Sequence, residues 1–139
     1  MKCVIQSEHE EQVALFKWWE FACHSFGLNS KCLFAIPNGG KRDVVIAKRL
    51  KQEGVKSGIP DIFLAVPREG KHGLFIELKK KKGGKVSENQ KICISLFSAL
   101  EYKAIVCNGW LDAKEEIEEY LRSDDERTPN VEEKNEIHA

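Results

Sequence analysis

The chain has 139 residues, 42% hydrophobic and 32% charged, with a formal net charge of zero. That is a soluble globular balance, long enough for one domain with a real core and short for two. Its longest uninterrupted apolar run, residues 62–66, falls far short of a membrane span, and the opening MKCVIQSEHE lacks the apolar core of a signal peptide. Five cysteines (Cys3, Cys23, Cys32, Cys93, Cys107) form no CxxC pair, which argues against a zinc site or a disulfide frame and for free thiols in a reducing cytoplasm.

From Ser7 the segment SEHEEQVALFKWWEFACHSFG has helical period. With Glu8 set at zero and about 100° per residue, Gln12, Leu15, Trp19, Cys23 and Phe26 fall within about 60° of it. Ser7 is a natural N-cap and Gly27 a natural stop. Trp18 and Trp19 read as packing residues, with Trp19 inside. CLFAIPNGG predicts a short strand over 32–36, ended by Pro37 and a turn, and RDVVIAKRLKQEG predicts a helix ended by Gly54. Two strands follow, 61–66 and 73–79, joined by PREGKH, a length that suits a hairpin. VSENQKICISLFSALEY predicts a third helix, opened by Ser87 and Gln90 in capping-box spacing. KAIVCNG predicts a last strand, and DAKEEIEEYLR a last helix capped by Asp112. The order αβαββαβα argues for an α/β fold, a small mixed sheet flanked by helices.

Neutrality hides an asymmetry. Residues 123–139 hold six acidic and two basic groups, leaving 20 basic and 16 acidic groups in the remainder. Residues 41–91 alone carry 14 basic against 6 acidic groups. A basic middle points to a polyanion partner, and the tail, poor in apolar residues, is expected to be a disordered acidic extension of a domain spanning 1–122.

The two central strands place acids beside apolar runs, where a charge is costly unless compensated. Strand partners should sum to 139 or 140, which sets Asp61 opposite Leu78 or Lys79. Glu77 and Lys79, two apart, leave the same face of their strand. Asp61, Glu77 and Lys79 can then converge at one end of the hairpin. Two carboxylates held together repel, and a hard divalent cation relieves that repulsion with oxygen ligands. A neighbouring lysine can neutralise phosphate or orient a water, an arrangement suited to metal-assisted phosphodiester hydrolysis. The bland alternative is a surface Glu77–Lys79 ion pair worth little.

GIPD sixteen residues before ELK, followed by GGKVSENQ, resembles the PD-(D/E)XK nucleases, and more narrowly the VRR-NUC family of virus-type replication-repair nucleases. SEHEEQ, PNGG and GVKSG are also similar to that family's pattern, so the likeness covers roughly 7–121. The resemblance implies a restriction-endonuclease-like core and dependence on Mg²⁺, with Mn²⁺ as a substitute and no organic cofactor. It implies Asp61, Glu77 and the Leu78 carbonyl as metal ligands, Lys79 as the catalytic lysine, and Gln90 as the glutamine that follows it. It further implies a DNA partner, structured or branched as a Holliday junction is, a homodimer, and a bacterial or phage-infected cytoplasm. A flap- or nick-directed nuclease, a restriction-like enzyme and a non-catalytic DNA-binding module are the alternatives.

The remaining candidates carry two readings each. Gln90 closes a capping box or faces the site. Asn38, Gly39 and Gly40 form a turn or offer phosphate contacts. Lys56, Lys80, Lys81, Lys82 and Lys85 are solvated lysines or grips on the DNA backbone. His9, His24, His72 and His138 show no ligand spacing and receive no role. Of the first helix's acids, Glu8 continues the inward stripe and is expected to reach the metal through a water. Glu11 lies about 80° off that stripe and Glu10 faces water.

Overall fold

The computed structural model describes residues 6–37 and 43–123. All eight expected elements are present in the expected order: α1 (Glu8–Ala22), β1 (Leu33–Ala35), α2 (Val44–Gln52), β2 (Ile62–Leu64), β3 (Leu74–Lys79), α3 (Glu88–Ala99), β4 (Lys103–Asn108) and α4 (Trp110–Arg122). The sheet order is β1-β2-β3-β4, with the first two pairings antiparallel and β3–β4 parallel across α3. This is the small mixed sheet flanked by helices that the pattern predicts. The expected turn over Asn38, Gly39 and Gly40, and the tail beyond 123, lie outside the described residues.

Local chemistry sets the helix ends. Ser7 accepts from the Glu10 N–H and Glu10 accepts from the Ser7 N–H, closing a capping box. The first helix is shorter than expected: Cys23–Phe26 continues as a 3₁₀ turn that Gly27, at φ +69°, terminates. Asp43 caps α2 through the Val45 N–H. The last helix begins three residues early, with Gly109 at its N-cap position, so Asp112 is not its cap but reaches back to the Asn108 N–H at 2.9 Å.

Strand alternation divides the sheet into two faces. Leu33, Ile62, Leu64, Leu74, Ile76, Leu78 and Cys107 face α1 and α4, where Leu15, Trp19 and Ile117 complete a fully buried core. Trp19 sits inside as expected, its Nε1–H donating to the Ser30 carbonyl at 2.8 Å. Phe63 and Phe75 take the opposite face, with ring centroids 4.4 Å apart, and Phe97 of α3 stacks on Phe75 at 4.6 Å. The same face carries Glu77 and Lys79 further along β3.

The hairpin register differs from expectation. Observed partners are Ile62↔Ile76, Phe63↔Phe75 and Leu64↔Leu74. Continued one step, this register sets Asp61 opposite Glu77, not opposite Leu78 or Lys79. The cause lies at the turn, where Arg68 pairs with Lys71 around Glu69 and Gly70, both at positive φ as a two-residue hairpin turn requires. Three residues, 65–67, then face two, 72–73, and the extra residue shifts the pairing by one. Pro67, unable to donate, sits in that irregular stretch.

Candidate metal centre

Asp61 immediately precedes β2 and Glu77 and Lys79 end β3, so the register brings all three to one end of the sheet on one face. Asp61 Oδ2 accepts from the Leu78 N–H at 3.0 Å. The N–H and C=O of one strand residue point to the same side, so the Leu78 carbonyl also opens toward Asp61, beyond the end of β2.

Glu77 is only 2% exposed and Lys79 8%. Glu77 Oε1 is held twice, by Gln90 Nε2 at 2.7 Å and by Lys79 Nζ at 3.5 Å. Its Oε2, when ionised, is buried with no hydrogen-bond partner. Burial first, then the Asp61 charge and a hydrogen bond to Asp61, push the Glu77 carboxyl from 4.5 up to about 8, while Lys79 pulls the other way. The ion pair is therefore not the solvated surface contact of the bland reading.

Gln90 satisfies both of its readings at once, since its Oε1 also accepts from the Ser87 N–H at 2.8 Å. The loop before β2 is fastened to the same helix end. Gly58, at φ +87°, passes so close to α3 that a Cβ there would lie 2.5 Å from the Asn89 carbonyl oxygen. Asn89 also donates to Ser57 Oγ at 3.0 Å. The loop delivering Asp61 and the helix delivering Gln90 thus hold each other in place.

These side chains line a cleft of about 550 Å³ whose further walls include Glu8, Ala47, Leu50, Lys51 and Ser87. Glu8 is exposed on α1 and turns toward this cleft, as its place on the helix stripe predicts. Glu11 does not follow its predicted place. It is 6% exposed and accepts from the Trp110 N–H at 2.7 Å, capping α4 from another helix. Lys56, Lys81, Lys82 and Lys85 are exposed and Lys80 half-buried, none of them lining the cleft; Asn38 lies outside the described residues. The cleft lysine that sequence reading missed is Lys51. Its signal was available, because Ala47, Leu50 and Lys51 share one face of α2 at helical spacing.

The donor set fits a hard divalent cation. Two carboxylates meet, one with an orphaned buried oxygen, beside a backbone carbonyl and open cleft. Among the described residues no group of three or more His, Cys, Asp or Glu gathers as a ligand set. A metal here would rest on Asp61, Glu77, the Leu78 carbonyl and water, with Glu8 acting at a remove. Nor, among the described residues, is any helix long and apolar enough to cross a membrane.

Comparison with known proteins agrees with this architecture. A solved structure described as a VRR_NUC domain protein matches with a TM-score of 0.73 and 24% identity, over 90% of this chain and 94% of that one. At that identity the likeness establishes the fold. The comparison with curated proteins returns no match. A family model, the VRR-NUC domain, matches residues 6–110, from just before α1 to the start of α4. The chain therefore belongs to the VRR-NUC family, and its function is of the nuclease type.

Proposed function

We propose that this chain is a Mg²⁺-dependent endonuclease that hydrolyses phosphodiester bonds in DNA, with branched DNA of the Holliday-junction kind as its preferred substrate. The observation that carries this reading is the convergence of Asp61, Glu77 and Lys79 on one face of the sheet end, with Glu77 Oε2 buried and unpartnered. Asp61, Glu77 and the Leu78 carbonyl would hold the metal, with Glu8 contributing through a water. A bound Mg²⁺, or Mn²⁺ in its place, supplies Lewis-acid polarisation of the scissile phosphate and a lowered pKa for the attacking water. Gln90 fixes the Glu77 carboxylate so that Oε2 stays available. Lys79 keeps an ammonium beside the reacting phosphate, where excluded water strengthens its stabilisation of developing negative charge. Lys51 places a second positive charge on the α2 wall of the cleft, and Lys56, Lys80, Lys81, Lys82 and Lys85 provide backbone contacts outside it. A homodimer, which the resemblance implies, would present two such sites to paired strands.

Purified protein incubated with four-way junction, flap and linear duplex DNA, with Mg²⁺, Mn²⁺ or EDTA, tests the reading. Metal-dependent cutting, greatest on the junction, is expected. Greatest cutting on flaps or duplex would replace the substrate assignment while keeping the chemistry. Binding without cutting in every metal would leave a non-catalytic DNA-binding module.

A further inference from the structure

Glu8 and Asp61 line two grooves at once. One is the cleft described above. The other, about 570 Å³, runs between the first half of α1 and the end of β1, past His9, Gln12, Val13, Phe16, Ile36 and Pro37. The candidate metal centre thus stands where two open grooves meet. A phosphodiester at that centre has a chain continuing from both sides of it, and the two grooves supply a path for both.

The grooves differ in chemistry. The first holds Lys51 and Lys79 and suits phosphate. Among the described residues, no lysine or arginine lines the second. Away from Glu8 and Asp61 its wall is largely apolar and partly uncovered: Val13 is 40% exposed, Pro37 is exposed, and Phe16 and Ile36 are half-buried. Phe16 is braced from behind by the core, so its position is fixed. Among the described residues, neither the His9 imidazole nor the Gln12 amide has a hydrogen-bond partner. Fixed apolar side chains with an imidazole and an amide beside them match a nucleobase, which has apolar faces and a hydrogen-bonding edge. A base stacked inside duplex DNA cannot enter such a groove; an unstacked one can.

We infer that the α1–β1 groove is a base-binding subsite, which takes the unstacked base of a nucleotide flanking the scissile phosphate. The inference rests on the nuclease reading above, and it specifies the substrate: strands cut where the duplex opens, ends or branches. Val13, at the exposed wall, controls entry, and Val13→Trp fills the groove without touching Asp61, Glu77 or Lys79.

Two measurements test it. In the first, the substrate that the chain cuts best among junction, flap and duplex carries an abasic analogue moved one nucleotide at a time along the strand that is cut. Removing one particular base beside the cleavage site should lower kcat/KM about 10-fold or more, on the scale of base–aromatic stacking. Val13→Trp should erase that difference. Cutting that depends on Asp61 yet ignores base removal at every position would overturn the subsite and leave the nuclease reading standing. In the second, a single strand containing 4-thiothymidine is irradiated with the protein in Ca²⁺, which reports even on a chain that cuts nothing. Crosslinks to residues 9–16 are expected; crosslinks confined to 80–85 and α2 overturn the inference. A change of oligomeric state in Val13→Trp with wild-type crosslinking would assign the groove to a second copy of the chain, and also overturns it.

Discussion

Gln90 joins the third helix to the candidate metal centre with a single amide. Its Oε1 accepts from the Ser87 N–H at 2.8 Å and its Nε2 donates to Glu77 Oε1 at 2.7 Å. The helix start and the orientation of a buried carboxylate are therefore set by one side chain. Gln90→Ala should lose both, lowering stability by about 1 kcal/mol through the cap and cleavage about 10- to 100-fold through the misplaced carboxylate. Gln90→Glu keeps an acceptor for Ser87 but sets an acid against Glu77, so it should melt near wild type at pH 6 and still cut slowly. Wild-type cutting by Gln90→Glu would show that Gln90 serves the helix alone.

Asp61→Ala and Glu77→Ala should each abolish cleavage in Mg²⁺. DNA binding in EDTA should persist in both and tighten for Asp61→Ala, which removes a carboxylate near the phosphates, whereas Glu77 without metal already keeps its proton below about 8. Filter binding beside the cleavage assay reads both. Wild-type-like cutting by Asp61→Ala would remove Asp61 from the metal centre.

The raised Glu77 carboxyl makes metal-free stability depend on pH. Between about 4.5 and about 8 the folded chain keeps a proton on Glu77 that the unfolded chain has released. The native state then binds more protons, so stability is fully present below 4.5 and falls as pH rises toward 8. In EDTA the melting temperature of wild type should decline over that window, and that of Glu77→Gln should decline less. Bound metal needs the deprotonated acid, so Mg²⁺ should raise the wild-type melting temperature more at pH 8.5 than at pH 6. An equal decline in both proteins would place the titrating group elsewhere.

What the sequence made legible was local. Helical and strand periods mark all eight elements, and Ser7 and Ser87 mark helix starts, because a cap acts within three residues of itself. The convergence of Asp61, Glu77 and Lys79 needs only alternation and a hairpin, so it survives a register error of one. That error came from the unequal stretches at 65–67 and 72–73, where the turn's own pairing holds but does not propagate. Contacts between distant segments left no local trace. Glu11 and Trp110 are 99 residues apart, and the capping of α4 by Glu11 follows from how α1 lies beside α4. Lys51 enters the cleft only because α2 lies along it.

The lysines separate by depth. Lys79, 8% exposed and 3.5 Å from Glu77 Oε1, should lower cleavage by about 10²-fold when changed to Ala, the scale of losing one preorganised charge. Lys81, exposed in the turn after β3, should instead weaken binding modestly and reduce the slope of affinity against salt by about one. Single-turnover rates at saturating DNA distinguish the two. Equal rate losses would mean that Lys79 is not the catalytic lysine.

Glu8 and Glu11 stand three residues apart on one helix and should fail in opposite ways. Glu8 is exposed and lines both grooves at the candidate metal centre. Glu11 is buried, and its Oε2 meets the Trp110 N–H at a helix whose own N-cap is Gly109, a residue with no side chain to cap it. A Cβ on Gly109 would lie 2.7 Å from that oxygen, so the glycine makes room for a cap supplied by α1. An acceptor at a helix N-terminus is worth about 1–2 kcal/mol, and a negative charge there gains from the macrodipole as well. Glu11→Ala should therefore lower stability by about that amount, and Glu11→Gln, which keeps an oxygen but loses the charge, by less. Well below the melting temperature, both should cut at nearly the wild-type rate. Glu8→Gln should melt as wild type does and cut much more slowly. Denaturation curves paired with cleavage rates for the three variants decide the matter. A slow but stable Glu11→Gln enzyme beside a normal Glu8→Gln enzyme would transfer the metal's outer partner from Glu8 to Glu11.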